Sequence, residues 1–275
     1  MRCNGEPTIA ALARAGLVGI SVPRAQGGAG GRLCDAVESI IELAERSTTA
    51  AMRLWAHETL VDCLRQSGNV GLRDYHLPSL LEGSIAGTAL LWPQISSLYG
   101  NASPAAMAHD TGRGWRLQGR LPPAHNLQRD WYVAAVPVAF AGSPTYSVVL
   151  LTSEHDGVRR VNGGAALLDQ EGEATVTLEF DRVLFREDEL IASDGPALVE
   201  LLRPAALVLR CGVLVGRMRA QLRNGTLPAA HTQRLDWLSS DLLDGFRDGR
   251  LVTHPQQLMV LHRQLESLPM TVHHG

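Results

Sequence analysis

LARAGLVGISVPRAQGGAGG, Leu12 to Gly31, is the stretch on which the reading of this chain turns. A short apolar run, Leu17 to Val22, breaks at Pro23, after which Gly27, Gly28, Gly30 and Gly31 crowd into a few residues and a helix-like segment begins. Such a turn raises the question of a phosphate cradle, and the spacing argues against one. A dinucleotide fingerprint needs Gly-x-Gly-x-x-Gly directly between a strand and a helix, whereas here Pro23 to Gln26 intervene. A Walker loop needs Gly-Lys-Ser/Thr, and the chain has no lysine, all 25 of its Lys+Arg positions being arginine. The segment therefore reads as a tight connection between two helices, in which glycine supplies backbone angles that other residues avoid.

Composition sets the wider frame. The 275 residues leave room for one large domain or two to three small ones. An apolar share of 45% with 19% charged residues is ordinary for a globular protein. No apolar run is long enough to span a bilayer, and the start lacks the basic-then-apolar pattern of a signal peptide, so the expected compartment is the cytoplasm, with no membrane partner. Cys3, Cys34, Cys63 and Cys211 form no Cys-x-x-Cys pair and suit a reducing compartment. A net charge of -3 gives no basic footprint for nucleic acid. Arginine in place of lysine, with abundant Ala, Gly and Leu, suggests a GC-rich bacterial genome. It also removes any Schiff-base lysine or Ser-Lys dyad.

Three textures follow one another, and the expected domains are 1–84, 85–194 and 195–275. The first is helical. Thr8 can cap a helix over Ile9 to Ala15 that stops at Gly16. Asp35-x-x-Glu38 resembles a capping box before an apolar stripe of Val37, Ile40, Ile41 and Ala44. Leu54 to Leu64 repeats the pattern, and Pro78 is placed to start a short helix ending at Gly83. The second texture is β, with Trp131–Phe140, Tyr146–Thr152, Thr175–Phe180 and Val183–Phe185 as strands and Gly112, Gly114 and Gly119 as turn markers. The third is helical again. Leu198 to Leu222 is long and apolar and ends at Asn224-Gly225, and two further helices are expected near 232–246 and 255–267. No internal repeat is present.

Helices, then a β domain, then helices is the order of the acyl-CoA dehydrogenase family, and the motifs carry the resemblance further. LARAGLVGISVPRAQGGAGG resembles that family's segment Leu-x-x-x-Gly-Leu-x-Gly-Ile-x-x-Pro-x-x-x-Gly-Gly-x-Gly, where the glycines join two N-terminal helices. AVESIIELAERST resembles the next helix, LRDYHLPSLLEGSIAG the approach to the β domain, GWRLQGRLPPAHN a strand pair, and TVTLEFDRVLFREDELI the closing strand. The resemblance covers about residues 8 to 220. It implies an α+β fold: an N-terminal helical domain, a central antiparallel β-barrel domain and a C-terminal helical bundle, here shortened. It also implies FAD between the β domain and the C-terminal helices, and oxidation of an acyl thioester in which a glutamate takes the α-proton and flavin takes the β-hydride.

Carried over residue by residue, the implied site is eroded. TALLWPQISSLYG, Thr88 to Gly100, falls where the family has Thr-Glu-Pro-x-Ala-Gly-Ser-Asp. Leu91 stands for the threonine and would offer only its backbone to flavin. Trp92 stands for the glutamate and reads as a core or interface aromatic. Ser97 matches the serine, a cofactor and substrate position, although an insertion would instead align Gly100 to Ser103. Pro123 replaces the tryptophan that packs on flavin. His125 stands at the threonine, either touching the flavin edge or facing solvent, and Asn126 matches. In LLRPAALVLRCGVLVG, Arg203 matches an arginine of the substrate region. The alternative catalytic glutamate of some members would fall at Leu202. Glu200 is the remaining candidate base, although helical geometry turns it elsewhere. The Tyr-Glu-Gly-Thr segment that supplies the commoner base has no counterpart, nor has the arginine of Arg-x-x-x-Phe-Gly.

Other constellations are weak. His57-Glu58 lacks a zincin's second histidine, His273-His274 lacks a third ligand, and no Gly-x-Ser-x-Gly elbow exists, so no metal is expected. Two functions follow. One is FAD-dependent oxidation of an acyl thioester in lipid metabolism, with a related partner subunit restoring the base. The other is a non-catalytic family member acting as a binding or structural subunit. The apolar face of Leu207, Val208, Val213, Leu214 and Val215 suggests a homo- or hetero-oligomer.

Overall fold

Thr8 opens the first helix as expected: its Oγ1 accepts the Ala11 N–H at 3.3 Å, and α1 (Ile9–Arg14) stops before Gly16 at φ 74°. A computed structural model describes residues 7–97, 102–127, 131–161 and 176–268. The tail histidines, Cys3, Gly100, Asn101 and Thr175 lie outside those residues.

The glycine-rich connection then doubles back on itself. The N–H groups of Ala29, Gly30 and Gly31 donate to the carbonyls of Gly19, Val22 and Ile20 at 2.8–3.0 Å, and that of Gly28 donates to Pro23 at 3.2 Å. These are the donors a phosphate would need, and the loop's own carbonyls use them all. The reason for glycine is proximity. A Cβ on Gly28 would stand 2.3 Å from the Val22 carbonyl oxygen.

Helices α2 (Leu33–Arg46), α3 (Thr48–Gln66) and α4 (Val70–Leu81) complete the first layer. The structure shifts two expected starts. Asp35 caps α2 from inside, its carboxylate accepting the Arg32 N–H at 2.8 Å, so the helix begins at Leu33. Pro78 lies inside α4 rather than at its start, because Asn69 caps the helix through the Leu72 N–H.

Strands β1 (Ala86–Ala89), β2 (Ala106–Asp110), β3 (Trp115–Arg120), β4 (Tyr132–Phe140), β5 (Tyr146–Thr152), β6 (Val158–Val161), β7 (Thr177–Phe185) and β8 (Leu190–Ala192) form one sheet. Its order is β6-β7-β3-β2-β4-β5-β8, with β1 also on β4. Pairing is antiparallel except that β1 and β2 run parallel to β4, β1 along Tyr132–Ala135 and β2 along Val138–Phe140. The two strand runs read separately around Asp181 are one strand, β7, which turns at Arg182 with φ 57°. Gly119 marks a bulge within β3 rather than a turn, since a Cβ there would meet the Ala105 carbonyl at 2.6 Å.

The short helix α5 (Trp92–Ser96) lies between β1 and β2. The last layer is α6 (Gly195–Arg223), α7 (Thr232–Arg247), α8 (Arg250–Thr253) and α9 (Pro255–Glu266). Helix α6 is the axis of the helical layers, packing on α2, α3, α5, α7 and α9. At Gly212 and Gly216 its backbone lies against α2; a Cβ on Gly216 would stand 2.3 Å from the Ile41 carbonyl. This packing corrects one expectation. Leu207, Val208, Val213, Leu214 and Val215 are all buried within the chain, so they need no second subunit to cover them.

Two apolar cores result. One joins the helices to one face of the sheet; the other lies on the sheet's opposite face, around Leu117, Val136, Val149 and Phe185. Among the described residues no helix is long and apolar enough to cross a membrane, and no group of three or more His, Cys, Asp or Glu side chains is placed to hold a metal.

Candidate functional site

The two cores meet at a cavity of about 110 Å³. Helix α3 contributes Met52, Trp55 and Ala56; β1 and the start of α5 contribute Thr88, Leu90 and Trp92; the loop after β3 contributes Pro122 to His125; and α6 contributes Arg210. Met52, Trp55 and Ala56 reach it together because residues three and four apart share one helix face.

Trp55 is set by α6, its indole N–H donating to the Ala206 carbonyl at 2.9 Å. Trp92 meets it edge to face at 5.2 Å. Arg210, only 7% exposed, faces both rings, its guanidinium carbon 5.3 Å from the Trp55 centroid and 5.8 Å from that of Trp92. It also contacts Met52 Sδ. A guanidinium over indole faces in a desolvated site is a favourable cation–π arrangement.

Around this cluster the sequence-derived residues divide. His125 is half-buried and lines the cavity, its ring 6.4 Å from that of Trp55. Asn126 holds that loop in place. Its backbone is left-handed at φ 63°, and its amide donates to the Gly87 carbonyl at 2.8 Å. Leu91 is fully buried, and its carbonyl is used by the first turn of α5, accepting from Gln94 and Ile95. Trp92 is half-buried and packs as an aromatic of the cluster, as read.

Ser97, Arg203 and Glu200 form a separate group at the far end of α5. Arg203 is buried and donates to the carbonyls of Ile95 and of Ser97, the latter at 2.7 Å. Its other arm pairs with Glu200 at 2.6 Å. Arg203 is thereby a cap for α5, which corrects its reading as a residue turned to substrate. Glu200 is exposed and lies outside the cavity wall, which is lined by no carboxylate among the described residues.

His57 and Glu58 also have structural duties. His57 Nε2–H donates to the Leu80 carbonyl at 2.9 Å while Nδ1 accepts the Gly87 N–H at 3.1 Å, which fixes its tautomer. Burial lowers its pKa to about 4. Glu58 accepts the Gly19 N–H at 2.7 Å and so clasps the glycine-rich connection to α3. Burial raises its carboxyl to about 7, with Asp62 adding to the shift and Arg65 opposing it.

The reading of the sequence missed Trp55 and Arg210. A signal for Arg210 was present: a lone charge inside the apolar run Leu207 to Val215.

The flavin implied by the resemblance can be tested against this geometry. Small-molecule clefts run from about 300 to 1,000 Å³, well above the volume here. Arg210 and Trp92 fill the space, and Pro123 offers no aromatic wall. As its side chains stand, the site does not fit a flavin ring.

The architecture defines the class: a helical layer, a sheet and a second helical layer around one cleft. Residues 2–84 match the profile of the acyl-CoA dehydrogenase N-terminal domain. Over those residues the chain is similar to the acyl-CoA dehydrogenase family. Among solved structures it is similar to the ChsE4-ChsE5 complex from Mycobacterium tuberculosis, with 18% identity, a TM-score of 0.66 and coverage of 91% of this chain and 70% of that one. It is similar to dibenzothiophene monooxygenase from Paenibacillus sp. A11-2, with 15% identity, a TM-score of 0.70 and coverage of 94% and 74%. It is similar to butyryl-CoA dehydrogenase from Megasphaera elsdenii, with 17% identity, a TM-score of 0.65 and coverage of 95% and 72%. These likenesses establish the fold. No curated protein matches the chain in sequence.

Proposed function

We propose that this chain is a non-catalytic acyl-CoA dehydrogenase-like subunit, a binding or structural partner to a related chain. The observation that carries this reading is the state of the cavity. Proton abstraction from an acyl thioester needs a carboxylate within hydrogen-bond reach, and the cavity wall holds none among the described residues, while Arg210 lies against both tryptophans in the cavity wall. Partnership is supported by solved relatives that are themselves pairs of named chains, ChsE4-ChsE5 and Tcur3481-Tcur3483. It is also supported by the exposed apolar side chains Leu201, Trp237 and Val260 on the C-terminal helices.

A second reading keeps the family chemistry. In it the partner supplies the base, the Trp55–Arg210–Trp92 cluster opens, and His125 and Asn126 border a bound FAD, with an acyl thioester as substrate. The fold supports this version, since flavin-binding proteins share it: the neighbours include PigA with FAD, at 15% identity, and KijD3 with FMN, at 19%.

The two part in one experiment. The visible spectrum of protein purified without added flavin is recorded, FAD is titrated in, and acyl-CoAs are offered with an electron acceptor. The first reading expects no flavin spectrum, no tight FAD binding and no turnover by the isolated chain. Tight FAD binding with turnover by the chain alone overturns it, and turnover only after mixing with a related subunit establishes the second reading.

A further inference from the structure

Packed interiors keep few voids larger than a water molecule, so the space of about 110 Å³ left beside Trp55 and Trp92 needs a reason. It is too small for a flavin, yet it is not too small for everything. A cavity of roughly 150 Å³ lined by aliphatic and aromatic side chains holds one benzene ring. The one here is somewhat smaller but has the exposed prolines Pro122 and Pro123 on its solvent side, which leaves room for a single ring and no more.

The wall selects the kind of occupant. Three of its rings stand at steep angles to one another: Trp92 at 88° to Trp55, and His125 at 73° to the same indole. Such a box presents both ring edges and ring faces, the arrangement in which a further flat ring finds an edge-to-face partner. Met52, Ala56 and Leu90 complete an apolar lining, and no carboxylate lines it among the described residues. The charge of Arg210 is already spread over both indole faces and in contact with Met52 Sδ. A charged ligand would therefore lose its water for little return.

We propose that this cavity binds one neutral, single-ring aromatic molecule, held by its fit between Trp55, Trp92 and Met52. The proposal rests on the first reading above, in which the chain binds without catalysing, and it names the chemistry of what is bound.

The test uses the full chain, purified without added flavin. Toluene is titrated while the methyl signals of Met52 and Met107 are followed by carbon–proton NMR, with Met52→Leu giving the assignment. The bound ring should shift the signal of Met52, in the wall, in a saturable way and leave that of Met107, exposed on β2, in place. Methylcyclohexane, similar in size but not aromatic, should bind about two- to tenfold more weakly, and naphthalene should not compete. Ala56→Leu, which enlarges a residue of the wall, should abolish the shift. Equal affinity for toluene and methylcyclohexane overturns the proposal, as does a Met52 signal that toluene leaves in place. Both are read on the unsubstituted protein, so neither depends on a variant folding. Failure here is distinct from failure of the underlying reading. A chain that binds neither FAD nor toluene keeps that reading and refutes the proposal, whereas one that binds FAD tightly and turns over alone refutes the reading itself.

Discussion

Replacing Glu58 by glutamine should stabilise this protein at neutral pH and leave it nearly unchanged in mild acid. The carboxyl is buried beneath the glycine-rich connection and accepts the Gly19 N–H at 2.7 Å. Burial raises it from an ordinary 4.5 to about 7. Its folded value thus exceeds its unfolded one, and the folded state holds the extra proton between the two. Stability from this group is fully present below pH 4.5 and falls as pH rises through about 7. At about 1.4 kcal/mol per pH unit, the whole span corresponds to a ceiling of about 3 kcal/mol. Glutamine keeps an oxygen to accept from Gly19 and carries no charge. Urea unfolding of both proteins at about pH 5 and pH 8 reads the effect, because titrating groups with no interaction with Glu58 cancel in the difference, leaving the carboxyl with its neighbours Asp62 and Arg65. The variant should be close to the parent at the lower pH and more stable by up to about 3 kcal/mol at the higher. A gap of the same size and sign at both pH values would refute the reasoning.

His155 titrates in the same direction for a different reason. Its Nε2 lies 2.5 Å from Glu189, whose hydrogen bond raises the imidazole pKa, so its contribution is present in acid and fades as pH rises through the folded value. His155→Gln should cost about 1 kcal/mol at pH 5.5 and little at pH 8.5, read by thermal unfolding. Gly28→Ala, which drives a Cβ to 2.3 Å from the Val22 carbonyl, should cost about 2 kcal/mol or more, whereas Gly68→Ala, with nothing within 4 Å, should stay within about 0.5 kcal/mol. Equal urea midpoints for these two variants would remove proximity as the reason for the glycine-rich connection. Arg203→Met should cost about 2 to 3 kcal/mol by leaving the Ile95 and Ser97 carbonyls without their buried donor, measured by chemical denaturation. A neutral result would deny Arg203 its role as the cap of α5.

The elements with strong local signals were legible. Thr8, the apolar stripe of α2, the Asn224-Gly225 stop of α6 and the strands β4 and β5 all follow from capping, period and turn chemistry that act over a few residues. The absence of a phosphate cradle was legible too, since register alone excludes it. What remained hidden depends on contacts distant in the chain. Trp55 and Arg210 are separated by some 150 residues, so no local pattern links them. Arg203 carries the expected arginine identity, yet its direction is set by the end of α5, which is defined only once the helices pack. Likewise the apolar face of α6 looked uncovered because the sequence does not reveal that Gly212 and Gly216 let α2 close over it.

The close contact at those two glycines has a mechanical consequence. Helix α6 presses its backbone on α2, so the first and last helical layers share a core with one face of the sheet, while the sheet keeps a second core on its far face. The cavity of Trp55, Trp92 and Arg210 lies on the line between them, with Met52 and Ala89 belonging to one core and Leu90 and Ala124 to the other. Val133, Ala135, Val148 and Leu150 of the sheet are packed in the first core, so any slide of sheet past helices that widened the cavity would have to shear that core as well.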